Sequence, residues 1–243
     1  MSAPVSRRRV GAILRRELRD YRRNRYMLVS MGVIPAVFLA EPLIYVLRLP
    51  PSASVPLSHQ HQLLYMLGIP ALVPALVAAA SVVTERAQGT LEPVLTTPVR
   101  REELLLGKAL APLLPSVAVS YLVYGLFVCV IELFAHPGVA PALLQAPVVI
   151  AQVIFTPLIA AFSIWVGLAI STLSRDIRAA QQLSMLCNLP VVAFAVLTAF
   201  NVIHPTLGLA VGAGAALLAA YRVGWRVVSA LFDRERLVSA RGR

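Results

Sequence analysis

The chain has 243 residues, a formal net charge of +11 and only 14% charged residues, with a mean hydropathy of +0.78. Soluble domains carry about 25% charged residues, so a water-soluble enzyme or binding module is excluded and a polytopic membrane protein is the natural class. At about 20 apolar residues per span, six spans with short loops use up the length.

The charges are placed unevenly. Nine arginines fall between Arg7 and Arg25, four basic residues in the stretch 85–108, two at Arg175 and Arg178, and six between Arg222 and Arg243, leaving only Arg48 elsewhere. Cytoplasmic loops collect Lys and Arg, so this pattern predicts both termini and the 85–108 and 174–179 loops in the cytoplasm. A basic rim beside anionic headgroups explains the net charge. No nucleic-acid-binding motif accompanies it. Cys129 and Cys187 both fall in apolar runs and read as small buried residues, with no disulfide or metal framework.

Residues 7–25 are basic and amphipathic, and Ile13, Leu14, Leu18 and Tyr21 share one helical face. Such a helix lies along the membrane surface with its arginines at the headgroups. The apolar run that follows passes Ala40 without a small-x-small cleavage site, which predicts a retained span rather than a signal peptide. Spans are predicted at 27–47, 62–83, 104–133, 143–173, 180–202 and 206–230. The segments near 48–61, 134–142 and 203–205 are expected on the outer side. Prolines inside the spans, among them Pro70, Pro74, Pro147 and Pro190, predict kinks, tolerated where neighbours satisfy the freed carbonyls. Gly208 and Gly212 form a G-x-x-x-G pair suited to close helix packing.

Two acids lie in or near spans, Glu41 in the first and Glu132 at the outer end of the third. Intramembrane ionisable residues are functional candidates by default, so both are candidate substrate-path residues. Glu41 and Arg48 are two helical turns apart and could share a face, so a pair between them or an outer water-filled vestibule is favoured over a path role for Glu41. The four histidines, His59, His61, His136 and His204, all fall on the outer side, where solvated loop positions are the favoured reading over a metal or proton-sensitive cluster.

The stretch Glu85 to Lys108, E-R-A-Q-G-T-L-E-P-V-L-T-T-P-V-R-R-E-E-L-L-L-G-K, holds eight charges between two nearly charge-free runs. Thr97-Pro98 reads as an N-cap followed by Pro at the first helical position, and the helix then rises through Glu102, Glu103 and Lys108 into the third span. Before it, Gly89 to Leu95 can form a short helix that exposes Leu91, Val94 and Leu95, suited to a partner's groove. An ordinary capped polar connector would have the same composition.

The motif separates the two readings. The loop resembles the cytoplasmic coupling loop of type-2 ABC exporter permeases, which runs E-R-x-x-G-T-L-E-x-L-L-T-T-P-V-x-x-x-E-x-x-x-G-K. The chain matches at Glu85, Arg86, Gly89, Thr90, Leu91, Glu92, Leu95, Thr96, Thr97, Pro98, Val99, Glu103, Gly107 and Lys108, and departs at Pro93 and Val94. The N-terminal amphipathic helix, the six spans, the S-R-D-I-R-A-A-Q-Q segment and F-D-R-E-R at Phe232 to Arg236 extend the likeness over nearly the whole chain.

The resemblance implies an all-α membrane protein that forms one permease domain over 1–243. It has six transmembrane helices, an interfacial helix over 1–26 and a cytoplasmic coupling helix within 85–103. It implies that Glu85, Arg86, Gly89, Thr90, Leu91, Glu92, Leu95, Thr97 and Pro98 form the surface that couples to a separate ATPase subunit, expected in two copies. ATP and magnesium would bind to that partner. This chain has no G-x-x-x-x-G-K-[ST], and Gly107-Lys108 is followed by Ala109. A second permease chain, identical or different, would complete the membrane unit, in the plasma (inner) membrane and working as an exporter. No catalytic or metal residue is expected.

Three other readings fit the sequence less well. A membrane anchor that relays ATPase motion to a partner would favour large outer domains, and the outer loops are short. An intramembrane hydrolase is suggested by Glu102-Glu103 and by Phe200 to His204, but position 107 is Gly where that motif needs Arg, and the acids and His204 fall on opposite sides. A secondary transporter usually has more charged or broken-helix ion sites at mid-membrane. Drugs, lipids, glycans and ions are all compatible as substrates.

Overall fold

A computed structural model describes residues 6–48, 62–89, 101–136 and 139–241. Among these residues the secondary structure is helical, with no strand, and six helices are long and apolar enough to cross a membrane. The chain is therefore an all-α, multi-pass membrane protein. The outer histidines His59 and His61 and the coupling-loop positions Thr90, Leu91, Glu92, Leu95, Thr97 and Pro98 lie outside the described residues.

Helix α1 (Arg7–Arg23) is followed after Asn24 by α2 (Arg25–Leu47). A short 3-10 turn (Gln62–Leu67) leads into α3 (Gly68–Ala87), and the long α4 (Arg101–Phe134) follows the 90–100 segment. A five-residue helix, α5 (Val139–Leu143), precedes α6 (Ala146–Leu173), and α7 (Ile177–Ala199) and α8 (Leu207–Arg241) complete the bundle. The membrane-spanning stretches are Met27–Leu47, Leu63–Ala87, Glu102–Phe134, Ala146–Leu173, Ile177–Ala199 and Leu207–Leu231. Each overlaps the corresponding predicted span, because a charge-free run of about 20 residues satisfies its backbone in lipid only as a helix.

Helix α3 is the centre of the bundle. Gly68 through Val83 are all buried, as expected of a helix that is apolar on every face. α6, α7, α4 and α2 surround it. The tightest approach is at Gly167 of α6, where an added Cβ would lie 2.7 Å from the Ala75 carbonyl oxygen and 2.9 Å from Ala78 Cβ. Small residues on both helices allow this contact, which is the main source of helix association when lipid is as apolar as the interface. Gly167→Leu is expected to destabilise the bundle by about 1–3 kcal/mol through overpacking. Thermal unfolding of the purified protein in detergent would show it, and an unchanged midpoint would overturn it.

Polar side chains pin α7 to α3 inside the apolar interior. Gln181 Nε2 donates to the Leu76 carbonyl at 3.4 Å and Ser184 Oγ to the Ala75 carbonyl at 3.3 Å. Asn188 Oδ1 accepts from Ser163 Oγ at 2.8 Å and its Nδ2 donates to the Ser184 carbonyl at 2.8 Å, which joins α6 to α7. A polar group left unpaired at this depth would cost several kcal/mol, so these contacts also select register.

Four expectations are corrected. Pro70 and Pro147, expected inside spans as kinks, sit in the first turns of α3 and α6, where a residue has no intrahelical N–H bond to lose. α7 starts at Ile177, earlier than predicted, because Asp176 caps it by accepting from the Ala179 N–H at 2.9 Å. Gly208 and Gly212 pack against nothing within 4 Å of a built Cβ, and α8 instead closes on the bundle at Gly224, where a Cβ would meet Trp165 Cβ at 2.7 Å. Trp165 anchors that contact edge-to-face against Tyr221 and Trp225, with centroids 5.8 and 5.3 Å apart. Cys129 and Cys187 are exposed on outer helix faces and are not buried.

Candidate functional site

The described ends of the 85–108 segment meet α1 at a cluster of buried charges. Lys108 lies two turns into α4 and is fully buried. Its Nζ is 2.8 Å from Glu85 Oε2, 3.0 Å from Glu17 Oε1 and 3.4 Å from Ser81 Oγ. One ammonium thus ties together the end of α3, the start of α4 and the surface helix α1. An isolated ammonium cannot be buried without partners, so the position of Lys108 depends on both carboxylates.

Glu17 was not singled out from sequence, although a signal was present. It follows Ile13 by four residues and Leu14 by three, and precedes Tyr21 by four, so it lies on the apolar face of α1 and not among the arginines. A carboxylate on the buried face of an amphipathic helix calls for a buried cation. Tyr21 shares that face and is 5% exposed. Its hydroxyl pKa is pushed well above the ordinary tyrosine value, first by burial and then by the charges of Glu17, Glu85 and Asp20, so it stays protonated.

α1 is held a second time at its N-terminus. Glu103 is buried, its Oε1 accepts from the Ser6 N–H at 2.8 Å, and its Oε2 is 3.4 Å from Arg9 Nη1. A carboxylate there also complements the positive end of the α1 dipole. Between the two clamps Ile13 packs on Gly107, where a Cβ would fall 2.5 Å from Ile13 Cγ2. The G-K pair of the motif thus has two packing roles, with Gly107 seating α1 and Lys108 bonding it.

Arg86 faces the other way. Its Nη1 donates to the Ser174 carbonyl at 2.8 Å and its Nη2 to the Thr172 carbonyl at 3.0 Å. These carbonyls belong to the end of α6, where the last turn has no intrahelical donors. The planar guanidinium can bond both at once. Nearby, Ser171 Oγ accepts from the Val82 and Val83 N–H groups at 3.0 and 3.2 Å. Gly89 ends the motif's described part with φ +66°, and its N–H donates to the Arg86 carbonyl at 3.2 Å. The left-handed conformation after a helix favours glycine, which gives Gly89 a backbone role.

Of the candidate coupling residues, the structure therefore describes Glu85, Arg86 and Gly89, and places them at one end of the bundle with Glu17, Glu103 and Lys108. The two candidate path residues are elsewhere. Glu41 is exposed on α2, in an open recess with Val37, Ala40, Ile44, Tyr45 and Arg48. It shares that face with Arg48, and no ion pair joins the two among the described residues. Glu132 is exposed near the end of α4, beside exposed Leu133 and Phe134. His136 and His204 are exposed, and no group of three His, Cys, Asp or Glu able to hold a metal occurs among the described residues.

Six spans, a docked surface helix and a rigidly held loop base define a helical membrane transport subunit. A family described as ABC-2 family transporter protein matches residues 11–220. The chain belongs to that family and is a membrane permease of an ABC transporter, a transmembrane component that associates with an ABC ATPase and is not itself the ATPase. No curated protein matches the chain.

Proposed function

We propose that this chain is half of the membrane unit of an ATP-driven exporter, and that residues 85–103 receive force from a separate ATPase subunit. The observation that carries the reading is the buried contact of Lys108 with Glu17 and Glu85. A loop that transmits force needs a stiff base. Here both ends of the loop are bonded to each other and to α1, while Arg86 passes the connection on to α6 and the 174–176 turn. Movement of the loop would shift α3, α4 and α1 together.

In this reading two ATPase copies bind ATP and magnesium, two permease chains pair, and the assembly sits in the plasma membrane with the basic termini and the loop in the cytoplasm. The exposed Glu41 supports a seam between two chains, because a carboxylate facing hydrocarbon is costly and a second chain over α2 would remove it from lipid. Glu41 would then line the substrate path, with Glu132 at its far end.

Affinity purification of the tagged chain from native membranes in mild detergent tests the proposal. A P-loop ATPase is expected to co-purify with the wild type and to be lost when Leu91 and Glu92 are both replaced by Ala. Absence of an ATPase across several detergents would overturn the reading.

A further inference from the structure

A second feature of the described structure lies away from the loop base. A cavity of about 380 Å³ sits between α6, α7 and α8, closed at the back by the 3-10 turn. It is within the roughly 300–1,000 Å³ range of ordinary ligand sites. Phe155 and Ile159 of α6 form one wall and Phe194 of α7 another, and the alanines Ala210, Ala213 and Ala216 of α8 leave the space unfilled. No charged side chain lines it. Its two hydroxyls are already engaged, because Thr198 Oγ1 donates to the Phe194 carbonyl at 2.8 Å and Thr206 Oγ1 accepts from the Leu209 N–H at 3.2 Å. The rest of the lining is apolar, and a water needs two or more polar partners, so the space suits an apolar occupant.

Length and position identify its class. The cavity follows α8 from Thr206 at the 200–206 turn to Leu217. That run rises about 16 Å at 1.5 Å per residue, close to half of the roughly 30 Å hydrocarbon thickness. The cavity therefore runs about the depth of one leaflet, starting at the turn between the last two spans. It is continuous with the lipid-facing surface, since Phe194 and Ala216 on its rim are exposed. We infer that it is a site for one acyl chain of a phospholipid from the leaflet next to the 200–206 turn, seated between the last two spans.

The test uses the full chain in vesicles of phosphatidylethanolamine and phosphatidylglycerol, doped with a phosphatidylcholine that carries a mid-chain diazirine. After photolysis, labelled residues are mapped by peptide mass spectrometry. Label is expected to concentrate on 191–198 and 209–217, well above the exposed Leu122 and Leu126 face of α4. Ala213→Phe, which displaces roughly two methylenes, is expected to lower that label about tenfold and to leave the α4 label unchanged. Ala216→Leu serves as the milder second variant, and the wild-type label map decides alone if neither folds. Uniform label over all lipid-facing helices would overturn the site. So would label from a diazirine fatty acid but not from the phospholipid, or α8 cross-linked to a second copy and free of lipid label.

Discussion

Lys108→Met is expected to lower the stability of the folded chain by about 3–5 kcal/mol, the usual cost of breaking a buried ion pair by removing one partner. Methionine replaces most of the stem volume, so packing changes little. The loss is electrostatic. The Glu17 and Glu85 side chains are only 11% and 13% exposed, and without the ammonium they would face each other across a site with little water. Adding Glu17→Gln and Glu85→Gln to Lys108→Met should recover much of the loss, because a neutral buried site no longer holds unpaired charge. Thermal unfolding in detergent gives the comparison, and accessibility of a cysteine placed at Leu14 shows whether α1 has left the bundle. A Lys108→Met protein that melts like the wild type would refute the cluster as the anchor of α1. A triple variant no better than the single one would refute the electrostatic account.

Replacing Arg86 should act locally and not on the fold. Arg86→Gln removes two charge-assisted bonds to the Ser174 and Thr172 carbonyls. Bonds to charged groups contribute about 1.5–3 kcal/mol each, so the end of α6 should open at least about tenfold more often. Amide exchange in lipid nanodiscs would report it at Ser174 and at the first turn of α7, with the core of α3 unchanged. Arg86→Lys should not restore protection, because a lysine ammonium lacks the planar two-donor fork. Protection fully restored by lysine would mean that charge alone is required. If the proposed coupling is correct, Arg86→Gln should also retain the ATPase partner while losing transport.

The six spans were readable in the sequence because apolar length alone decides them. A backbone in hydrocarbon has few alternatives to helix, and the breaks coincide with charge and proline. The loop motif was readable as a string, and the physical roles of three of its members follow from the fold. Gly89 adopts a positive φ, Gly107 makes room for Ile13, and Lys108 is paired inside the protein. Hydropathy cannot separate such roles, since it scores Lys108 as a polar residue at the edge of a span.

Determined by the sequence itself were the class of protein, the number and order of its membrane spans, the amphipathic face of α1 and the likeness of its loop to those of ABC permeases. These depend on residue type and short-range spacing. The tertiary structure alone decided that Glu17 and Glu85, 68 residues apart in the chain, share one cation. It also decided that α3 is central, that Gly167 and Gly224 make the close contacts in place of Gly208 and Gly212, and that three alanines of α8 leave a cavity. All of these depend on which helix faces meet. In a bundle whose surfaces are apolar on every side, periodicity gives little information about facing, and packing of small residues with a few buried polar bonds selects it.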